Sequence, residues 1–370
     1  MGLLVVYIST HYVQHNEALQ HQFFLKWYQG YGAWDGEWYM RIAEKGYTGL
    51  KSTAFFPIYP LMIRMVHSVS GFSYFASAFL VSNISFMFAL VFLYRVVKDL
   101  FGALISRRTL LFLVVFPSAM FYNVTYTESI TLLTTVLFFY LLQKHKWYPA
   151  MFAGFIATGV HDLGVVLAIP AFLYLLKFRY QFSKKIFWIR FFSISIIGLS
   201  LLFYMTFLYF NFGSFMTFVK AQALWDRIPV IPVFNVFVNL AKLALKYYTW
   251  DYRFMTAING LCTLLFVLLG LLMFTKKKDT LPLDMKLFFA LTLFFSITSG
   301  AFGNMDTWVT FLRSASLASY ARFMGVIFPG FIMMARLING RVWIYGTMLA
   351  FLIIKLIMLG MFVAGYGVVV

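Results

Sequence analysis

The sequence predicts an all-α polytopic membrane protein, and three observations lead to that fold class. Of the 370 residues, 62% are hydrophobic and 11% are charged, whereas a soluble domain carries about 25% charged residues. The mean hydropathy is +0.83. The apolar residues form continuous runs, while the strands of a membrane barrel would alternate. The single Cys262 and the apolar composition also exclude a disulfide scaffold and a disordered chain.

Ten apolar runs are predicted to cross the hydrocarbon core, which is about 30 Å thick. In chain order they are 72–94, 108–124, 127–143, 148–160, 163–176, 187–210, 254–274, 287–303, 322–338 and 342–364. The boundary at His161–Asp162 has an alternative, in which residues 148–176 form one long tilted helix. Basic residues at both ends of this stretch favour a hairpin of two spans.

Basic residues set the orientation of these spans. The chain has 30 Lys and Arg against 12 Asp and Glu, a net charge of +18. More than half of the basic residues lie in or beside the connections 95–107, 144–147, 177–186, 275–286 and 339–341. Since positive charge stays on the cytoplasmic side, these connections are predicted to lie inside. Anionic lipid rather than nucleic acid is therefore the expected partner of this charge.

The opposite face is predicted to carry the functional site. The long stretches 11–71, 211–253 and 304–321 then lie outside, and long loops are usually functional. Most acids also fall there, at outer ends of spans or in outer loops: Asp35, Glu37, Glu44, Glu128, Asp162, Asp226, Asp251 and Asp306. A transporter would more often place acids at the midplane. Acids on one rim favour an enzyme that works at the membrane surface.

Residues 34–47 form the segment richest in candidate site residues. They read as a short helix, with Asp35 as a fair N-cap and Gly46 at its end. Trp34 and Tyr39 have the amphipathic character of interface anchors. Asp35 could be a helix cap, a functional acid or both. Residues 55–64 follow as a second short helix that two prolines begin, and its Arg64 is expected to reach the headgroups.

These two segments in tandem resemble a known family. WDGEWYMRIAEKGY at 34–47 and AFFPIYPLMIR at 54–64 are similar to the motifs of PIG-V-like mannosyltransferases, which comprise GPI mannosyltransferase II and its prokaryotic relatives in the GT-C class. Further similar segments follow in the family's order: FYNVTYTES at 121–129, GVHDLGVVLAIP at 159–170, GSFMTFVKAQALWDR at 213–227 and SYARFMGVIFP at 319–329. His161 stands where the family commonly has Arg, and Phe323 replaces a Tyr.

The resemblance implies a GT-C fold with about 10–11 transmembrane helices in one domain over residues 1–370. Within it, residues 26–71 would form an outer catalytic loop with interfacial helices, and residues 72–364 the transmembrane bundle. Residues 1–13, with the apolar stretch 3–8, are expected to be the remnant of a truncated first span or an interfacial segment.

The implied reaction moves mannose, with inversion, from a polyprenyl (dolichyl) phosphate-mannose to a lipid-linked glycan or another extracytoplasmic acceptor. The membrane would be the plasma membrane in a prokaryote and the endoplasmic reticulum membrane in a eukaryote, with the site on the outer or lumenal face. Whether the chain binds a small membrane partner subunit stays open.

Such a reaction needs a base for the acceptor hydroxyl and cationic partners for the leaving phosphate. By the resemblance, Asp35 is the candidate base and Glu128 the second acid, although Glu128 also suits the first turn of a helix. The candidate substrate-binding residues comprise three phosphate contacts, two sugar contacts and three aromatic residues of the motifs. They are Arg322, Arg227 and His161, then Gln222 and Trp225, then Trp34, Tyr39 and Tyr126.

No cofactor is expected. Asp35 and Glu37 have the spacing of two oxygen ligands, which is weak support for a divalent metal. The nucleotide-binding glycine patterns and the zinc-protease motif are missing from the sequence. Three other functions stay open: a transporter or lipid scramblase, a non-catalytic scaffold subunit, and a GT-C transferase that uses another lipid-phosphate sugar or a protein acceptor.

Overall fold

The computed structural model describes residues 27–225, 227–229, 236–237, 240–241, 250–275, 281–301 and 320–364. Within them the chain is helical apart from two short strands. The α-helices are α1 Asp35–Lys45, α2 Ile58–Ser70, α3 Tyr74–Val115, α4 Glu128–Gln143, α5 Trp147–Val160, α6 Ala168–Lys177, α7 Lys184–Ser193, α8 Ile196–Phe212, α9 Thr217–Ala223, α10 Trp250–Thr275, α11 Leu283–Ile297, α12 Tyr320–Val326, α13 Phe328–Leu337 and α14 Arg341–Val363. The strands β1 Arg227–Pro229 and β2 Ser299–Ala301 pair antiparallel.

The fold class is confirmed as that of an all-α polytopic membrane protein. In the described ranges, four helical stretches are long and apolar enough to cross a bilayer: Tyr74–Val115, Lys184–Phe212, Arg253–Thr275 and Arg341–Val363. The bent pair α12 and α13 is a fifth if it counts as one span. Among the other predicted spans, α4 is a shorter apolar helix.

Large apolar side chains cover the outside of these helices. Phe203 on α8 is 61% exposed, Leu271 on α10 is 60% exposed and Leu349 on α14 is 59% exposed. A water-soluble monomer rarely exposes so many neighbouring apolar groups. This surface therefore suits a lipid environment.

Helix α3 differs from the predicted pair of spans joined by a loop at 95–107. The helical backbone runs through most of that connection and breaks only at Gly102, where φ is 82° and ψ is 171°. The Ser106 hydroxyl donates a hydrogen bond to the Tyr94 carbonyl across this break. The chain therefore reverses at one glycine, whose missing Cβ permits the left-handed backbone.

The chain turns between α5 and α6, as the predicted hairpin requires. Helix α5 ends at Val160, and His161 has extended backbone. The next segment, Asp162–Leu167, is a 3-10 helix that packs closely on the end of α5. A Cβ at Gly164 would overlap the backbone of Ala157 and Thr158, so a glycine is needed there. One long straight helix is excluded.

Two predicted spans near the C-terminal end differ from the helices that the structure shows there. The span 322–338 is wrong as a single helix, because α12 and α13 meet at a bend of 79° at Ile327. The span 287–303 ends earlier, because α11 stops at Ile297 and the chain continues into β2. Residues 302 and 303 lie outside the described part of the chain. Pro329 in the first turn of α13 favours the start of a new helix after the bend at Ile327.

The outer segment forms the two short helices that the sequence predicts. Helix α1 ends at Gly46, whose φ is 76°, and α2 follows Pro57. Arg64 is exposed, and its Nε donates to the Ala43 carbonyl at 2.6 Å. This bond satisfies a carbonyl at the end of α1 and ties the two helices together. The approach of Arg64 to the headgroups stays a prediction.

Candidate active site

One arginine joins two acids from distant parts of the chain. The Nη1 atom of Arg322 donates to Oδ2 of Asp35 at 2.7 Å. Its Nε atom lies 2.8 Å from Oε1 of Glu128, an ion-pair contact. The side chains of Arg322 and Glu128 are each 7% exposed and that of Asp35 is 13% exposed. Because desolvation makes unpaired buried charges costly, this acid–arginine cluster requires all three partners.

The start of α1 gives Asp35 its orientation. Asp35 is the first residue of the helix, Trp34 is the N-cap, and no side chain caps the helix. The prediction of Asp35 as an N-cap is therefore wrong, since its carboxylate pairs with Arg322 instead. Its backbone N–H donates to the Tyr126 hydroxyl at 3.2 Å. Trp34 has φ 61° and ψ −120°, a conformation that is costly for a residue with a Cβ.

Close packing brings α1 against the loop that precedes α4. A Cβ at Gly36 would overlap the hydroxyl oxygen of Thr125. Glycine in the second position of α1 thus permits the approach of Asp35 to Tyr126 and Glu128. This gives a physical reason for the glycine in the WDGEW motif.

Helix α12 holds Arg322 by bonds on both sides of it. The Ala321 backbone N–H donates to Oδ1 of Asn259 at 2.9 Å. The Tyr122 hydroxyl donates to the Gly325 carbonyl at 2.6 Å. The guanidinium carbon lies 5.3 Å from the ring centres of both Tyr126 and Phe323. Such ring contacts favour a cation between them.

A cavity of about 540 Å³ opens beside the acid–arginine cluster. A volume of this order can hold a sugar with part of its carrier. The structure brings together six of the predicted site residues in its wall: Asp35, Tyr39, His161, Gln222, Trp225 and Arg322. The cavity therefore joins segments that are far apart in sequence.

The remaining predicted residues lie behind the cavity or beyond the described side chains. Glu128 and Tyr126 are buried next to Arg322, and the Trp34 indole nitrogen is buried as well. The backbone of Arg227 pairs with Ala301 in the two-stranded ribbon, and its side chain is not among those described.

His161 stands at the cavity with an acidic neighbour. Its Nδ1 lies 2.6 Å from Oδ1 of Asp162, and the Leu163 backbone N–H donates to the same oxygen at 2.9 Å. A histidine that is paired with a carboxylate is a weaker anion partner than an arginine with its five N–H donors. Its ring also packs edge-on against Phe323.

Trp225 belongs to an aromatic wall of the cavity. Its indole N–H donates to the Lys51 carbonyl at 3.2 Å. Its ring packs edge-on against Trp38 and Phe55, at 5.3 and 5.8 Å between centres. Aromatic walls of this kind suit the apolar faces of a sugar ring. Protein contacts therefore hold Trp225 in place.

Tyr39 is buried between this aromatic wall and the acids. Its ring lies 5.0 Å from the centres of both Phe55 and Tyr59. Burial, followed by the nearby carboxylates of Asp35 and Glu128, raises the pKa of Tyr39 well above its ordinary range. Its hydroxyl therefore stays protonated and can serve as a donor.

Several wall residues were not predicted. Phe55 and Phe56 line the cavity, and their place in the AFFP motif is a signal that could have identified them. Phe295, Ser296 and Thr298 also line it, at the end of an apolar helix where the sequence offers no such signal.

The site does not have the composition of a metal centre in the described part of the chain. No three His, Cys, Asp or Glu side chains gather there closely enough to share an ion. Asp35 faces Arg322, and Glu37 is half-buried near Arg41, whose charge partly offsets the desolvation that raises the pKa of Glu37.

The described part of the chain is an apolar helical bundle with a polar cavity beside helix starts, which is consistent with the GT-C fold. Residues 54–205 match the family model of dolichyl-phosphate-mannose-protein mannosyltransferases. The chain is therefore similar to membrane mannosyltransferases over a region that includes Glu128 and His161 and is less than half of its length. No curated protein matches the chain.

Proposed function

We propose that this chain is an integral-membrane inverting mannosyltransferase. It would move mannose from polyprenyl (dolichyl) phosphate-mannose to a lipid-linked glycan or another extracytoplasmic acceptor. The observation that carries the proposal is the pairing of Asp35 and Glu128 through Arg322 at the wall of the 540 Å³ cavity. The match to the mannosyltransferase family model supports the same class.

Asp35 is the proposed catalytic base. The acceptor hydroxyl oxygen attacks the anomeric carbon of mannose, and its proton passes to the Asp35 carboxylate. The bond from the anomeric carbon to the phosphate oxygen breaks, and the electron pair leaves with the polyprenyl phosphate. Arg322 contacts Oδ2 of Asp35, so the carboxylate is held in one orientation while Oδ1 is available to the acceptor. Such orientation lowers the entropic barrier.

Glu128 and Arg322 have linked roles in this proposal. Glu128 shares the guanidinium with Asp35 and orients the acceptor or the sugar through the same group. A guanidinium has five N–H donors, and the two carboxylate contacts involve only two of its nitrogens. Arg322 can therefore hold both acids and still donate to the phosphate. Arg227 and His161 are the further candidates for phosphate contact.

The aromatic side of the cavity is the proposed sugar site. Gln222 would bond the sugar hydroxyls, and Trp225 would pack against the sugar ring. Trp34, Tyr39 and Tyr126 would support this wall and the start of α1. The cavity would face the cell exterior or the lumen, with membrane lipid on the outside of the bundle.

Transfer of labelled mannose by the purified full-length chain tests the proposal. With polyprenyl-phosphate-mannose as the donor, we expect labelled product, and with GDP-mannose we expect none. Product with the opposite anomeric configuration to the donor supports inversion. Absence of transfer with all acceptor classes, together with movement of fluorescent lipid across vesicles, would instead favour the scramblase alternative.

A further inference from the structure

The charge around the cavity is unfavourable for a lipid phosphate. Asp35 lines it, and Glu128 lies just behind Arg322. Among the side chains that the structure describes, this acid–arginine cluster sets two carboxylates against one guanidinium, so its sum is negative. A phosphodiester that enters such a site is repelled unless a further cation stands near it.

Lys51 lies beside the cavity in a position to supply that cation. Its ammonium nitrogen is 5.5 Å from the ring centre of Trp225. Its backbone carbonyl accepts the Trp225 indole N–H at 3.2 Å. Lys51 is exposed, and Ala54, three residues further along the same 3-10 helix, lines the cavity. Both the backbone and the ammonium of Lys51 therefore lie against the aromatic wall.

We infer that Lys51 forms an anion site for the phosphate of the donor, next to Trp225. An ammonium on a flexible stem is a compact charge that can move from an aromatic ring to an anion. Arg322 pairs with two carboxylates, whereas Lys51 is held by a weaker ring contact. The inference rests on the proposed function for the choice of a lipid phosphate as the ligand, and it adds a phosphate-binding residue outside the predicted site.

Equilibrium binding of farnesyl phosphate and of farnesol to the purified full chain in detergent tests the inference. The alcohol reports contacts with the isoprenyl chain, and the phosphate adds the anion. We expect the unmodified chain to prefer the phosphate, and to do so less at high salt. Lys51→Met keeps an apolar stem over Trp225 and should bind the phosphate roughly tenfold to a hundredfold more weakly, with farnesol binding unchanged.

Two further variants separate charge from shape. Lys51→Arg keeps the charge and should retain most of the affinity for farnesyl phosphate. Lys45→Met removes an exposed positive charge at the end of α1 and should bind both ligands like the unmodified chain. Equal phosphate affinity in Lys51→Met and the unmodified chain would overturn the inference, and so would equal losses in Lys51→Met and Lys51→Arg.

The binding result is independent of the mannose-transfer result. A preference for the phosphate that depends on Lys51, without any transfer of mannose, would leave the anion site standing and remove the proposed function. Transfer of mannose by the unmodified chain, together with normal phosphate binding in Lys51→Met, would leave the proposed function standing and overturn the anion site.

Discussion

At the residue scale, Arg322 is the group on which both acids of the acid–arginine cluster depend. It is buried with Asp35 and Glu128, which come 287 and 194 positions earlier in the chain, respectively. Its side chain also lies among the rings of Phe121, Tyr126 and Phe323. Without the guanidinium, two neighbouring carboxylates would be buried with no positive partner, which is unfavourable.

Arg322→Met should lower the free energy of unfolding by about 3–5 kcal/mol, because it leaves both carboxylates uncompensated. The triple variant with Asp35→Asn and Glu128→Gln removes those charges and should regain much of the loss. Unfolding of the detergent-solubilised variants by heat and denaturant measures both effects. An unchanged midpoint in Arg322→Met would contradict the buried ion pairs.

Sequence reasoning identified the members of this cluster but not their pairing. Asp35, Glu128 and Arg322 were each recognised from motifs, yet the capping interpretation of Asp35 was wrong, because helix spacing alone carries no information on a partner far along the chain. Gly36 shows the converse case: its closeness to Thr125 explains a motif position that the sequence alone left unexplained. Phe295 and Ser296 had no motif to mark them.

At the element scale, the approach of α1 to the loop before α4 sets the position of the base. Gly36 lies against Thr125 so closely that any side chain would displace one of the two segments. Helix α1 also packs through Tyr39, Ile42 and Ala43, its other buried residues. A shift of this helix would move Asp35 relative to Arg322.

Gly36→Ala should therefore reduce both stability, by about 1–3 kcal/mol, and mannose transfer. Thr125→Ala removes the overlapping hydroxyl, so the double variant should recover much of both losses. Gly49→Ala is the matched control, since a Cβ there has open space around it. Lack of recovery in the double variant would show that this contact does not set the position of α1.

The short helix α12 is the second element that positions the site. It meets α13 at a bend of 79°, so the Arg322 segment depends on side-chain bonds more than on a continuous helix. The sequence predicts a span over 322–338 without its bend, because composition shows that these residues are apolar but does not show where an apolar stretch bends.

Tyr122→Phe removes the bond to the Gly325 carbonyl and should lower the free energy of unfolding by about 1 kcal/mol. It should also slow mannose transfer, because α12 carries Arg322. Tyr345→Phe is the control, since Tyr345 is 65% exposed. Identical behaviour of the two variants in unfolding and transfer assays would contradict a positioning role for Tyr122.

At the scale of the whole molecule, the orientation of the bundle decides which face holds the cavity. The fold class could be predicted from composition, whereas the positions of the helix breaks at Gly102 and Ile327 could not. The distribution of Lys and Arg predicts that α1 lies outside and the start of α7 lies inside. The one native cysteine, Cys262, is buried, which makes cysteine labelling a clean test.

In intact cells, a membrane-impermeant maleimide should label Lys45→Cys and leave Lys184→Cys unlabelled until the membrane is opened. Both positions are exposed, at the end of α1 and the start of α7. The unmodified chain should not be labelled. The opposite pattern would place the cavity on the cytoplasmic face and contradict the predicted orientation.

The most direct single measurement compares mannose transfer from polyprenyl-phosphate-mannose by the unmodified chain and by Asp35→Asn. Loss of the base should lower the rate by about three orders of magnitude or more, while Glu44→Gln, an exposed acid on the same helix, should keep it. Transfer by Asp35→Asn at the rate of the unmodified chain would remove Asp35 from the chemistry and leave it a structural partner of Arg322.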